Sequence, residues 1–290
     1  MHSYLRAIGF RSIGRSEMNT IIVNSVKTPT HISSAIDSEG YEFSELRKEI
    51  IPGMGIAFRG NFDENEKFVM DYYFPYREAT RFSTYGSVEI VRESDKESYL
   101  GVCEEPHVGV DLIFYIQDVM NILKYEEPGI SHIESRGIAL SALGSRGKIL
   151  LPVYSTELER QKIRKNSERR SELIRQARQG DHEAYEALSI DEMDTYSEIS
   201  RRIENEDVLS IVNSYVMPNG IESDKYSVLG TILETRKVIN HFTMEGVYIM
   251  TLNCNDVEFE LCINERDVLG EPMAGRRFKG DIWMQGSIRA

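Results

Sequence analysis

The last third of the chain most constrains what it can fold into. Runs at 226–234, 237–242, 246–254, 257–263 and 278–288 alternate apolar with polar residues, the period-two pattern of half-buried strands. Asn253 to Asp256 has the chemistry of a tight hairpin turn, and 265–269 reads as a short helix before the fifth run. Gly230, inside the first run, permits the bend by which one strand serves both halves of a small barrel. The order predicts a compact C-terminal β-barrel of the oligonucleotide- or oligosaccharide-binding (OB-like) type.

A chain of 290 residues exceeds the usual single-domain size and predicts two domains joined by a helical piece. In the N-terminal part, 16–27 has helical spacing through Met18, Ile21, Ile22, Ser25 and Val26, with Ser16 placed to cap it and Pro29 to end it. Strand patterns follow. Runs at 54–60 and 67–74 form a hairpin around 61–65, and 87–92 and 98–103 flank a polar turn at 94–97. Val110, Leu112, Phe114 and Ile116 alternate before a helix at 119–124. Runs at 136–143 and 148–154 are expected to turn at Gly144-Ser145-Arg146-Gly147.

The whole is therefore expected to be α+β: residues 1–154 an α+β domain with a largely antiparallel sheet, 155–205 a helical connection, and 206–290 the barrel-like domain. Within the connection, 156–179 contains neither Gly nor Pro and reads as one helix. Asp181 caps a short second helix to 188, and Ser189 with Glu192 has the spacing of a capping box for a third. Charge is segregated here. Arg160, Lys162, Arg164, Lys165, Arg169, Arg170, Arg175 and Arg178 precede a strongly acidic stretch at 181–207, so the two segments can neutralise one another.

A net charge of −13 repels phosphate backbones and disfavours duplex nucleic acid unless a basic patch is built locally. No apolar run approaches the roughly 20 residues needed to cross a bilayer. The opening residues 1–10 lack the pattern of a secretory leader, so a cytoplasmic location is expected. Cys103, Cys254 and Cys262 are too few for a disulfide framework and read as reduced structural thiols.

Catalytic and metal-binding patterns are weak. Cys103 with His107 resembles a nucleophile and base only in composition, because Pro106 sets a turn between them. Asp63-Glu64-Asn65-Glu66 lacks calcium-loop spacing, Gly144 to Lys148 lacks the full phosphate-loop pattern, and the histidines are dispersed. No metal and no cofactor is expected. The binding candidates lie in the last run: Lys279, Asp281, Trp283 and Gln285 share one face, next to the Arg276-Arg277 loop, while Phe278, Ile282, Met284 and Ile288 share the other. Arg276, Arg277, Lys279, Trp283 and Gln285 are thus the expected ligand- or partner-binding residues. The alternative places Trp283 in packing beneath the helices, with Arg276 and Arg277 paired to acids such as Asp267 or Glu271.

Tyr226-Ser227-Val228-Leu229-Gly230, Leu252-Asn253-Cys254-Asn255-Asp256, Cys262-Ile263-Asn264, Leu269-Gly270-Glu271-Pro272 and the stretch Gly275 to Gly286, with Tyr4 to Phe10 at the start, resemble the bacterial family known as domain of unknown function 3881. The resemblance spans essentially the whole chain and implies a bacterial cytoplasmic protein. It brings no activity, cofactor or catalytic residue with it. The expected function is noncatalytic binding of a protein or small-molecule partner through the barrel and the helical connection. An enzyme with an interdomain site and a single-stranded nucleic-acid binder are the alternatives.

Overall fold

The computed structural model describes residues 1–37, 40–92, 97–105, 108, 110–125, 132–152, 157–203 and 207–289. The expected turn residues 94–96, the Pro106-His107 pair and the boundaries at 154/155 and 205/206 lie outside them. The fold is mixed α+β and mostly strand. A three-ten turn (Ser3–Ile8) opens the chain, followed by helix α1 (Arg15–Lys27). The first sheet is an antiparallel meander of β1 (His31–Ile36), β2 (Glu42–Ile51), β3 (Met54–Phe62) and β4 (Phe68–Arg77), in that order. The β3–β4 hairpin forms where its pattern places it, but Phe68, Met70, Tyr72 and Phe74 do not keep one face: a bulge at Asp71 shifts the register between the Gly60–Met70 and Arg59–Tyr72 pairs. β1 and β2 carry no comparable signal, because inward positions of β2 hold Glu45 and Arg47 where alternation calls for apolar side chains; Glu45 is instead paired with Arg59 of β3 at 2.7 Å. The cap of α1 also differs from expectation: its N-cap is Gly14, not Ser16.

The second, ten-stranded sheet contains β5 (Thr84–Arg92), β6 (Tyr99–Glu105), β7 (Val110–Ile116), β8 (His132–Leu150), β9 (Tyr215–Pro218), β10 (Lys225–Ile239), β11 (Gly246–Cys254), β12 (Val257–Asn264), β13 (Val268–Leu269) and β14 (Arg277–Arg289). Helix α2 (Val119–Tyr125) follows β7, and α3 (Glu157–Arg178), α4 (His182–Ile203) and the single turn α5 (Val208–Ile211) lie between β8 and β9. Pairings β10–β11, β11–β12, β12–β8, β8–β14 and β14–β10 close a ring. A second circuit, β8–β5–β6–β7–β14, shares the β8–β14 ladder.

Three expectations are corrected here. The runs at 226–234 and 237–242 are one strand, β10, and the ring takes its fifth strand, β8, from the N-terminal half. The segment Gly144 to Gly147 is no turn but the middle of β8; a Cβ at Gly144 would meet Ile263 and one at Gly147 the Phe278 ring, so the missing side chains answer crowding rather than chain reversal. The helix break at Ser189 is absent: α4 is continuous, because the Ser189 hydroxyl donates back to the Tyr185 carbonyl (3.0 Å) instead of capping a new helix. Asp181 does cap α4, accepting from Glu183 N at 2.9 Å. Across the α3–α4 hairpin, Arg169 and Asp191 pair at 3.5 Å, in line with the charge segregation.

Strand alternation sorts side chains into two cores. Phe278, Ile282, Met284 and Ile288 of β14 join Leu112, Phe114, Leu140, Val228, Leu252 and Leu261 from the other strands of the circuits. Their neighbours Tyr115, Leu143, Ile249, Cys262 and Trp283 face the opposite way and pack with Leu5, Ile8, Phe10, Met18, Phe58 and Phe74, so the first sheet and the N-terminal segment lie on the outside of the second sheet. Gly230 behaves as its position suggests. There β10 exchanges its pairing with β14 for pairing with β11, and a Cβ would lie 2.2 Å from Cys254 Sγ and 2.6 Å from the Asn253 carbonyl oxygen. Gly230→Ala is expected to destabilise the protein by about 1–3 kcal/mol through overpacking, read as a lower urea midpoint at unchanged slope.

Candidate functional site

A cleft of about 1030 Å³ opens where β4 meets the second sheet. Its walls are residues 1–4, residues 70–74 of β4 and residues 221–225 before β10, with Ser98, Tyr115 and Trp283 between them. The N-terminal wall is held by a clamp. Gly9 adopts φ 91° and passes so close to Asn240 that a Cβ would lie 2.7 Å from the Asn240 Cβ. Asn240 Nδ2 donates to the Ile8 carbonyl (2.8 Å), and the backbone N–H groups of Arg11 and Ser12 donate to the Glu245 carboxylate (3.0 and 2.8 Å). Arg6 and Arg11 both bind Asp267.

That clamp delivers His2 and Tyr4 to Trp283. Their ring centroids lie 5.0 and 5.4 Å from the indole, and Tyr115 of β7 lies 5.2 Å away on another side. The indole Nε1 donates to Asp224 Oδ2 at 2.6 Å, and Met284 N donates to the Asp224 carbonyl at 2.9 Å, which ties the 221–225 wall to β14. Lys225 stands 5.6 Å from the Tyr4 centroid, within cation–π range, and is ion-paired with Glu222. Burial, reinforced by Lys225, lowers the His2 pKa to about 4, and burial together with Asp224 raises that of Tyr4 to about 12. Both are neutral at pH 7, and Nδ1 of His2 accepts from Tyr4 N at 3.3 Å.

Behind the cleft, Arg59 is completely buried. Its guanidinium binds Glu45, the hydroxyls of Tyr72 and Tyr115 (3.0 Å each) and the Gln117 carbonyl (3.1 Å), and it lies 4.7 Å from the Phe74 centroid. Burial opposes both charges of the Arg59–Glu45 pair. The Tyr115, Glu45 and Tyr72 oxygens more than offset this for Arg59, and the Arg59 and Arg47 guanidinia do so for Glu45, whose pKa is held below the ordinary carboxylate value. The aromatic walls are thus fixed from the rear, while Asp71 and Glu222 stay exposed at the mouth. Such a site can stack flat or cationic groups and accept hydrogen bonds from a ligand.

Of the five residues singled out from the sequence, Trp283 lines this cleft and is only 5% exposed. Gln285 is fully buried, accepting from Gln117 Nε2 (2.7 Å) and donating to the Pro75 carbonyl (2.9 Å). Arg277 is buried with its guanidinium on the Leu151 and Val212 carbonyls (3.2 and 3.1 Å), and burial lowers its pKa. Arg276 donates to the Glu271 carbonyl at 2.8 Å rather than to its carboxylate, and Lys279 is half-buried. Lys279 sits four residues from Trp283, about 13 Å along the same face of the strand. His2, Tyr4, Tyr115, Asp224 and Lys225 were not legible as site residues, because they converge on Trp283 from distant segments. Only the strand pattern at 67–74 pointed to part of the wall.

Arg59→Met should cost about 3–5 kcal/mol, because it removes one of the two guanidinia that hold the buried Glu45 charge and leaves only Arg47, and Glu45→Gln added to it should recover part of the loss; chemical denaturation of the parent and the two variants measures this. The lowered His2 pKa means the unfolded chain binds more protons between pH 6.5 and 4, so this residue's contribution to stability is lost as pH falls through that window. Asp118, raised to about 7 by burial, acts with the opposite sign, since there the folded chain holds the extra proton. The difference in melting temperature against pH between the parent and His2→Asn isolates the histidine and should be steepest between pH 6.5 and 4.

Residues 5–286 match the family described as "Domain of unknown function, E. rectale Gene description (DUF3881)". No curated protein and no solved structure is significantly similar to the chain. The match covers nearly the entire chain, including the clamp, both walls that follow it and Trp283, and the protein belongs to the DUF3881 family.

Proposed function

We propose that this protein is a noncatalytic binding protein whose ligand or partner occupies the aromatic cleft. The observation that carries this is the cleft itself: about 1030 Å³ of open space, with Trp283, Tyr4 and Tyr115 locked in place by ring contacts and hydrogen bonds before any ligand arrives. Preorganised aromatic walls beside a few polar groups are what binding sites use, because little ordering is left to be done on association. The ring of β10, β11, β12, β8 and β14 serves as an OB-like scaffold, and the helical connection is a second surface open to partners. A bacterial cytoplasmic setting suits three buried free cysteines whose pKa values are raised by burial. The low exposure of Trp283 weighs against the single-stranded nucleic-acid alternative, which needs stacking faces in solvent.

Trp283 is the only tryptophan, so its emission reports the cleft directly. A panel of cationic, anionic and aromatic small molecules and short peptides should include at least one that shifts this emission saturably. Ser223→Phe, which places a ring among the 221–225 wall residues, should weaken that ligand by about tenfold or more. A panel without effect, or equal binding to Ser223→Phe, removes the cleft from consideration.

A further inference from the structure

Five consecutive residues of β4, 70 to 74, line the cleft. A bulge at Asp71 interrupts the alternation, but Tyr72, Tyr73 and Phe74 are regularly paired to β3, and since their side chains alternate between the two faces, their all lining the cleft means that it lies along the strand's edge rather than over one face. Among the described residues β4 pairs only with β3, and the edge in question is the one facing away from it. The outward direction is marked by the C-terminal end of β4. There the Pro75 carbonyl accepts from Gln285, and the Arg77 carbonyl accepts from Gln117 and Ser141, so these backbone groups point to the second sheet and not into the β3 ladder. An antiparallel strand directs both polar groups of alternate residues to the same side, which gives Tyr73 the outward phase of Pro75 and Arg77. Pro75 itself fits that phase, since a proline in a strand is tolerated where its nitrogen faces away from the ladder.

Resting on the cleft as the binding site, we infer that an extended peptide segment with alternating apolar and basic side chains adds to the β4 edge as a further strand. Main-chain hydrogen bonds to Tyr73 supply the register, and the aromatic walls take alternate apolar side chains. The charge preference comes from the mouth. Asp71 is exposed without an ion-pair partner among the described residues, and Asp224 and Glu222 outnumber Lys225 on the facing wall. With His2 neutral, the cleft is net acidic and selects cationic side chains.

The probe is an acetylated, amidated hexapeptide alternating Lys and Val, titrated against the parent protein with Trp283 emission as the readout. Its acidic Glu-Val counterpart and a Lys-Val version N-methylated at every amide between residues, which has no such N–H left for a ladder on either edge, are the controls. The basic peptide is expected to bind about tenfold or more tightly than either control, and Tyr73→Pro should weaken it by a similar factor, since the outward N–H of residue 73 is lost without touching the β3 ladder. Equal binding of the N-methylated peptide excludes strand addition and needs no variant to fold; equal binding of the acidic peptide excludes the charge preference. A small molecule that shifts Trp283 emission and is lost in Ser223→Phe, with no effect of the basic peptide, overturns strand addition and leaves the cleft's binding role standing. Silence from both overturns the two together.

Discussion

Strand β8 hydrogen-bonds to β14 from Leu150 opposite Arg277 to Gly137 opposite Arg289, and both closed circuits of the large sheet pass through that ladder. It joins segments well over a hundred residues apart, so its formation carries a large loop-closure cost that local structure cannot meet. What repays the cost is two-sided burial. On one side the ladder contributes Leu140, Ala142, Ile282 and Met284 to the inner core; on the other it presents Leu143, Trp283, Ser141 and Gln285 to the first sheet.

The contact between the two sheets is unusual in how polar it is. Arg59, Glu45, Arg77, Glu260, Gln117, Gln285 and Ser141 are all buried along it. Each has its partners: Arg77 binds Glu260 at 2.6 Å, Glu260 also accepts from Thr80 N at 3.0 Å, and the two glutamine amides bond each other and the β4 backbone. Charges in such a place contribute little net stability, because desolvation cancels most of the attraction, but they penalise any sliding that would leave one unpaired. The seam therefore acts chiefly on register. It satisfies the outer edge of β4 as far as Pro75 and stops there, which is why the cleft begins where it does.

The cleft thus follows from the limits of two larger features. Glutamine and serine side chains reach the β4 edge only near its C-terminal end, and the N-terminal segment, clamped through Asn240, Glu245 and Asp267, comes up to Trp283 without covering the edge. Arg59 reaches both layers, holding the Tyr72 hydroxyl of the first sheet and the Tyr115 hydroxyl of the second. The aromatic walls are consequently part of the core's own bonding network, and a ligand meets them already arranged.

Much of the local structure was written in the sequence. The β3–β4 and β11–β12 hairpins, the turn at Asn255 and Asp256 with their positive φ angles, the strand leading into α2, the long helix α3 and the bend at Gly230 all follow from patterning, spacing and turn chemistry over a few residues. The partner of β14 did not, because nothing in residues 278–288 distinguishes β8 from a C-terminal neighbour. β1 and β2 were hidden for a related reason: Glu45 and Arg47 look solvated until Arg59 is placed beside them. Trp283 was recognisable as a candidate and lies on the face that alternation assigned to it, yet its surroundings and its burial were decided by convergence of residues 2, 4, 115 and 224. Periodicity is a property of one segment, and the sequence by itself determined the elements. Pairing across long separations and the satisfaction of buried charge are properties of the folded whole, so only the tertiary structure decided which faces are inside and where the open edge lies.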